Sequence, residues 1–165
     1  MKWRDIVSSG QTYSMAHLHP FTTGVQVGSR QIDLHVTFGW HVFTDEKGNG
    51  LRMTRGPETR FFCPQRYVDS HQAPPFIQNQ MAAGYVRPFI AKGSGQMFFV
   101  FDIANYAMFF TFQKPPGTTN ELKCHLVSAY SVNQWGLSGL PTRAKLRKMG
   151  YVLDRRERGE VIPLT

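Results

Sequence analysis

The feature that most constrains the fold is an alternation of apolar and polar side chains in the segment 31–44, which is strict as far as Val42. The apolar set is Ile32, Leu34, Val36, Phe38, Trp40 and Val42, and the polar set is Asp33, His35, Thr37, Gly39 and His41. A period of two residues is typical of a β-strand with one face in a hydrophobic core. Phe43 falls on the polar side. We therefore predict a long strand whose far end is covered on both faces.

Further strands are predicted on either side of tight connections. Residues 45–50 hold the Gly and Asn of such a connection, so residues 51–62 are predicted to return as the partner strand of residues 31–44. Two aromatic runs, at 96–103 and 107–114, predict a hairpin that is buried on at least one face. These strands indicate a sheet in which antiparallel pairs dominate.

Two helical segments are also predicted. Residues 66–84 have an apolar stripe at helical spacing, with Pro74 and Pro75 in a first turn. Near the end of the chain, Pro141 is predicted to open a short basic helix that Gly150 closes.

The last strand precedes this basic segment. Residues 114–120 predict a loop, and residues 121–132 predict a strand. Strict alternation places these side chains on one side of it: Leu122, Cys124, Leu126, Ser128 and Tyr130. The prediction is one α+β domain over residues 1–165, with a twisted, mainly antiparallel sheet and two or three short helices. Residues 141–165 would form its basic C-terminal helix and tail.

Composition excludes several classes of protein. No apolar run reaches the ~18–20 residues of a membrane span, and no apolar segment follows the first charges as in a signal peptide. Two cysteines do not make a disulfide framework. We therefore expect a cytoplasmic protein with no membrane partner.

Positive charge is concentrated near the C-terminus. The chain has 19 Lys and Arg against 11 Asp and Glu, a net charge of +8. The last 25 residues carry seven of the basic side chains and three of the acidic ones. Such a cluster attracts polyanions, and RNA is the expected partner. A solvated helix face with a frayed tail is the alternative.

The six histidines are the candidates for acid–base chemistry. His41 is preferred because it ends a strand, where side chains reach a cleft rim, and His17 and His19 come next. His35 lies six residues from His41 on the same strand face, roughly 20 Å away, so the two cannot serve one site. A partly buried, hydrogen-bonded imidazole is the alternative for each. Because no second ligand cluster accompanies His17 and His19, we predict no metal site and no cofactor.

A resemblance adds to this interpretation. It is carried by short motifs between residues 10 and 132: His17 to Phe21, Phe38 to Thr44, Arg66-Tyr67, Asn105-Tyr106 before Phe109-Phe110, and Ser128 to Tyr130. Together they resemble a family of small bacterial and mobile-element proteins labelled stationary-phase growth adaptation proteins. The basic segment after Ser131 departs from that pattern.

A looser resemblance is to the metal-independent endoribonuclease toxins of the barnase, colicin and RelE-like group. Those proteins are small, basic and α+β, and Ser128 to Tyr130 is similar to a segment of their closing strand. The likeness implies RNA cleavage by transesterification, in which the ribose 2′-OH attacks the adjacent phosphate. That reaction needs a base, an acid and a cation, and no metal.

The first functional hypothesis is accordingly a ribonuclease acting as a toxin or stress effector. His41 would be the base, Arg52, Arg55 or Arg60 would bind the phosphate, and Ser128 or Tyr130 would position the phosphate or the leaving group. The residues predicted to grip the RNA backbone are Arg60, Arg143, Lys145, Arg147 and Lys148. Three alternatives remain: a non-catalytic nucleic-acid-binding or inhibitor module of a mobile element, a module that binds an acidic protein or antitoxin, and a metal-dependent enzyme that uses His17 and His19.

Overall fold

The computed structural model describes residues 1–93, 95–101, 105–136 and 138–165. It confirms an α+β fold with a mainly antiparallel sheet. The strands of this part of the chain are β1 (Ile6–Ser8), β2 (Gln11–Tyr13), β3 (Phe21–Val27), β4 (Arg30–His41), β5 (Thr44–Asp45), β6 (Arg52–Arg55), β7 (Glu58–Phe62), β8 (Tyr85–Ala91), β9 (Gly95–Phe101), β10 (Tyr106–Gln113), β11 (Glu121–Ser131) and β12 (Arg147–Lys148). The α-helices are α1 (Pro64–Ser70), α2 (Ala73–Asn79), α3 (Val132–Trp135) and α4 (Met149–Glu157). Three of the four exceed a single turn.

Seven strands form the main sheet, in the order β12-β8-β9-β10-β11-β4-β3. All of its pairs are antiparallel except β11 with β4, which is parallel. A three-stranded sheet, β5-β7-β6, and a two-stranded one, β1-β2, are separate from it. Helix α4 packs on one face of the main sheet, against β3, β10 and β11. α1 contacts β11.

Strand β4 confirms the alternation seen in the sequence. Its apolar set from Ile32 to Trp40 is buried, and the polar set between them is partly exposed. Phe43, which breaks the alternation, is fully buried beyond the end of the strand, as predicted. The predicted partner strand is wrong, however, because β4 pairs with β3 and β11.

Residues 51–62 form a hairpin of their own. β6 and β7 pair with each other, and β7 also pairs with β5. The break comes at Gly56, whose φ of +58° lies in the left-handed region that glycine adopts readily. Pro57 follows it. The turn therefore folds residues 51–62 back on themselves instead of leaving them as one long strand. Of the two short strands that result, β7 pairs with β5, the segment that follows β4.

A β-bulge in β11 overturns one predicted face. Along β10 the register passes from Phe110↔Leu126 to Phe109↔Ser128, so Val127 is the extra residue. An extra residue shifts the alternation by one. Ser128 and Tyr130 therefore leave the buried side of Leu126 and share the opposite, half-exposed face of the sheet.

The helix predicted over residues 66–84 is divided. α1 ends at Ser70, α2 begins at Ala73, and a 3-10 turn follows at Met81–Ala83. Pro74 and Pro75 do lie in the first turn of α2, as predicted. A proline has no backbone N–H and clashes with the preceding turn, so a helix cannot run through that pair.

The predicted basic helix before Gly150 is wrong as well. α4 begins only at Met149, and Gly150 lies inside it. Its buried apolar residues are Met149, Val152 and Leu153, which lie on one face of the helix. The basic residues before Met149 have no apolar side chains at this helical spacing. Residues 142–146 form a connection that leads into the short edge strand β12.

The aromatic hairpin is confirmed as β9 and β10, which pair antiparallel. Residues 102–104, which include the end of the first predicted strand, lie outside the described residues. Among the described helices, none combines the length and the apolar character needed to cross a membrane.

Candidate functional site

A surface pocket of about 310 Å³ lies where the end of β4 meets β11 and the tip of the β6–β7 hairpin. Its lining brings together side chains from four parts of the chain. The polar ones are Thr37, His41, Arg55 and His125, and the aromatic ones are Trp3, Phe38 and Trp40. Two predicted residues, His41 and Arg55, therefore share one concave site with a histidine that the sequence left unassigned.

His41 is paired with a carboxylate. Its Nε2 lies 2.7 Å from Oε1 of Glu58, which begins β7. An ionised carboxylate only accepts hydrogen bonds, so Nε2 carries the hydrogen and Nδ1 holds the lone pair. Among the residues that the structure describes, His41 Nδ1 has no hydrogen-bond partner. The imidazole is thus oriented as a base.

Arg60 holds Glu58 and the chain after β4 in place. Its Nε donates to Thr44 Oγ1 at 2.8 Å and its Nη2 to the Thr44 carbonyl at 3.1 Å. Its Nη1 donates to Glu46 and, at 3.4 Å, to Glu58. The Arg60 side chain is only 7% exposed. This buried guanidinium is therefore placed to position the Glu58 carboxylate. Little of its surface is exposed for the predicted contact with an RNA backbone.

A second arginine, missed in the sequence as a site residue, supports the same region from α1. Arg66 Nη1 donates to the His41 carbonyl at 2.8 Å. Its guanidinium also lies over the ring of Tyr130, 5.1 Å from the centroid. Ser128 is the β11 partner of His41 in register. The bulge therefore brings both predicted hydroxyl residues to the face of His41, although neither lines the pocket.

His125 forms the opposite wall of the pocket. Its Nδ1 lies 2.8 Å from Thr37 Oγ1. Its Nε2 reaches over Gly39, 3.3 Å from where a Cβ would stand. A Cβ at Gly39 would also lie 2.6 Å from the Val127 carbonyl oxygen, so the close approach of β11 at this point requires a glycine. Gly39 is two residues from His41 on the same strand face, and both imidazoles line the same pocket.

The two predicted arginines of β6 are separated by the structure. They are three residues apart, so their side chains leave opposite faces of the strand. Arg55 lines the pocket and lies over the ring of Trp3, 5.3 Å from the centroid. Arg52 pairs in register with Phe61 and is exposed away from the pocket.

Burial lowers the pKa of both histidines in the pocket. For His41, the Arg60 and Arg66 charges lower the pKa further, and Glu58 raises it in part. For His125, a hydrogen bond to the Thr37 backbone raises the pKa in part, and the charges of Arg55 and the Met1 amino group lower it further. Both imidazoles are therefore neutral at pH 7, the form in which a histidine accepts a proton.

The basic C-terminal residues lie at the far edge of the sheet. Arg143, Lys145 and Lys148 are exposed and have no ion-pair partner in the described part of the chain. Arg147 instead binds the carbonyl oxygens of Pro163 and Thr165. Strands β12 and β4 are five spacings apart in the sheet, about 24 Å along it. These cations are thus remote from His41.

His17 and His19 do not line the pocket. His17 Nε2 lies 2.7 Å from Ser70 Oγ, and its ring stacks on His71 with centroids 3.6 Å apart. Burial and the neighbouring His71 lower the pKa of His17 to about 4. His19 Nε2 contacts the carbonyl of Trp3 at 3.1 Å. Within residues 1–93, 95–101, 105–136 and 138–165, no three His, Cys, Asp or Glu side chains are placed to hold a metal ion.

Glu58, Arg66 and His125 are the site residues that sequence reasoning missed. The turn at Gly56 and Pro57 is the one local signal for Glu58, because it sets that residue opposite Arg55.

In the comparisons with known proteins, no curated protein and no solved structure matches the chain. A protein-family model, described as the YjaZ family, matches residues 5–152.

Proposed function

The chain belongs to the YjaZ family, and we propose that this member of it is an endoribonuclease that cleaves RNA without a metal ion. The ribose 2′-OH attacks the adjacent phosphate, which yields a 2′,3′-cyclic phosphate and a free 5′-OH. The proposal is carried by one observation, the 2.7 Å contact of His41 Nε2 with Glu58 in a pocket that also holds Arg55.

His41 acts as the general base of this reaction. Glu58 fixes the tautomer in which Nδ1 takes the proton of the 2′-OH, and Arg60 holds Glu58 in turn. A positioned base of this kind contributes about 10²–10⁴-fold to a rate. Glu58 also stabilises the imidazolium that forms when the proton arrives.

Arg55 is the cation for the phosphate. It lines the pocket beside His41, and its guanidinium carries a bidentate set of donors for phosphate oxygens. The charge that develops on those oxygens in the transition state is strongly stabilised in a pocket that is partly shielded from water. A toxin or stress-effector role follows if the RNA cut in the cell is needed for growth.

The test compares two histidine–glutamate pairs on the same strand. His41→Gln keeps a nitrogen for Glu58 and removes Nδ1. His35→Gln is the matched control, because His35 pairs with Glu121 at 2.9 Å on the same face of β4 and does not line the pocket. Purified proteins are incubated with labelled RNA in EDTA, and the ends of the products are identified.

We expect wild type and His35→Gln to cut RNA to 2′,3′-cyclic phosphate ends at equal rates. His41→Gln is expected to be at least 100-fold slower. A substrate with a single 2′-deoxy residue should resist cleavage at that position. Intact RNA in every lane would reject the ribonuclease. Retarded but uncut RNA would instead favour the binding module, for which the exposed Arg143, Lys145 and Lys148 are the supporting observation.

A further inference from the structure

We propose that His125 is the general acid of the same site, the group that protonates the leaving 5′-oxygen as the phosphodiester breaks. This inference rests on the proposed function. It is drawn from the position of the His125 ring, which reaches across from β11 into the pocket that His41 borders.

The first step is the anchoring of the ring. Thr37 and His125 are partners in the register of β4 and β11, and the Thr37 hydroxyl meets His125 Nδ1 at 2.8 Å. When the imidazole is charged, both of its nitrogens carry hydrogen. Nδ1–H then donates to Thr37 Oγ1, and Nε2–H is the proton that faces the pocket.

The second step is the distance to the base. His125 Nε2 lies over Gly39, and His41 is two residues farther along the same face of β4. Two residues of a strand span about 6.6 Å, so the Gly39 backbone, which His125 Nε2 approaches, lies that far along β4 from the His41 backbone. A phosphodiester placed between the rings meets one imidazole on the side of its 2′-oxygen and the other on the side of its 5′-oxygen.

The third step is the different surroundings of the two rings. His41 is bonded to a carboxylate, which stabilises the positive charge it gains as a base. His125 is bonded to a neutral hydroxyl, and its pocket neighbours Arg55 and the Met1 amino group favour loss of its proton. His41 is thus suited to accept a proton and His125 to give one up.

The reaction balances with these two groups. The 2′-O–H proton passes to His41 Nδ1, the 2′-oxygen forms a bond to phosphorus, and the bond from phosphorus to the 5′-oxygen breaks. The His125 Nε2 proton passes to that 5′-oxygen. One proton is taken up and one is released, so no further reactant is needed.

The test uses a substrate whose leaving group needs no proton. RNA with a bridging sulfur in place of the scissile 5′-oxygen leaves as a thiolate, so a missing general acid does not slow its cleavage. His125→Asn keeps a nitrogen for the Thr37 hydroxyl and removes Nε2. His41→Gln and His35→Gln are assayed beside it on both substrates.

We expect His125→Asn to cut ordinary RNA at least 100-fold more slowly than wild type and the sulfur substrate within a few-fold of it. His41→Gln is expected to be slow on both substrates, and His35→Gln to match wild type. Recovery on the sulfur substrate also shows that His125→Asn is folded.

Two results would overturn the assignment. If wild type cuts RNA but His125→Asn is either fully active or equally slow on both substrates, His125 is not the acid, and the proposed function stands without it. If wild type cuts neither substrate, the proposed function and this inference both fail.

Discussion

His41 and His125 each have one ring nitrogen bonded to a neighbouring side chain, and both rings line the same pocket. In each ring, the hydrogen bond of one nitrogen sets the tautomer, and the other nitrogen is the one that can exchange a proton. The sequence predicted His41 as a base from its place at the end of a strand. It did not indicate His125, because nothing in its neighbouring residues shows which side chain it meets.

The proposed cleavage should be fastest at acidic pH. In the proposed reaction the base works when His41 is neutral, so the rate rises with pH through the pKa of His41. The acid works when His125 is protonated, so the rate falls as pH rises through the pKa of His125. Both pKa values lie below the ordinary value of 6.5 because of burial. We expect a bell-shaped profile of kcat/KM with both limbs below that pH.

This profile is measured on a short oligonucleotide between pH 4 and 9. His35→Gln should leave both limbs in place, since that ring is outside the pocket. His125→Asn should remove the falling limb alone. A wild-type maximum above pH 7.5 would contradict the assignment of the two roles.

Among the elements, the contact of β4 with β11 matters most for the site. The bulge at Val127 turns Ser128 and Tyr130 to the face of His41, and Gly39 lets the Val127 carbonyl and the His125 ring approach β4 closely. A period-two pattern predicts faces only while the ladder stays regular. An extra residue shifts every later side chain to the other face, and strict alternation in the sequence therefore misplaced Ser128 and Tyr130.

Gly39→Ala should damage both the fold and the site. A Cβ at Gly39 would lie 2.6 Å from the Val127 carbonyl oxygen, a backbone atom that cannot swing away. We expect a loss of about 1–3 kcal/mol in the free energy of unfolding and reduced cleavage. Urea denaturation measures the first effect.

The control glycine is Gly150, which lies in α4 with its nearest neighbour, Val27 Cγ1, 3.9 Å from a Cβ. Gly150→Ala should be neutral or stabilising by up to about 1 kcal/mol, since alanine favours the helix. Equal effects of the two substitutions would show that close packing at Gly39 is not the cause.

A buried carboxylate connects α4 to the sheet. Glu157 is 2% exposed and accepts from Arg30 Nη1, the Asn120 N–H and Lys114 Nζ at 2.9, 3.0 and 3.3 Å. Burial raises its pKa, but these hydrogen bonds outweigh burial and hold the pKa of Glu157 below its ordinary value. A lowered pKa stabilises the fold at neutral pH, and the effect is lost as pH falls through it.

Glu157→Gln should therefore lower the free energy of unfolding by about 2 kcal/mol at pH 7. The difference from wild type should shrink as pH falls from the ordinary value of 4.5 through the lowered pKa of Glu157, because the wild-type carboxyl then becomes protonated. Thermal denaturation across pH measures it. Glu160→Gln is the matched control, because its pair with Arg155 is more exposed and should be worth less than about 1 kcal/mol. A pH-independent loss would contradict the charge argument.

At the scale of the whole molecule, fewer of the cations behind the net charge of +8 are free to bind RNA than the sequence suggests. Near the C-terminus, Arg155, Arg156 and Arg158 are bonded within the protein. Arg143, Lys145 and Lys148 remain exposed at the β12 edge. An RNA that reaches them from the pocket has to cross the main sheet.

Replacing Arg143, Lys145 and Lys148 together by Gln should weaken RNA binding without changing kcat on a short substrate. Each lost phosphate contact lowers the salt dependence of single-strand binding by ~0.7, so the slope of log K against log salt should fall by about 2. Fluorescence anisotropy with a long RNA measures this. Arg158→Gln is the control, and an unchanged slope in the triple variant would exclude this edge as an RNA contact.

The role of His41 as a base stays a prediction, but the sequence by itself determined the class of fold, the long alternating strand and the aromatic hairpin. These follow from local geometry, because a strand turns alternate residues to opposite faces whatever surrounds it. Only the tertiary structure decided that His41 meets Glu58, that His125 meets Thr37, and that the basic segment lies far from both. Those contacts join residues distant in the chain, and their register depends on turns and a bulge that no single stretch encodes.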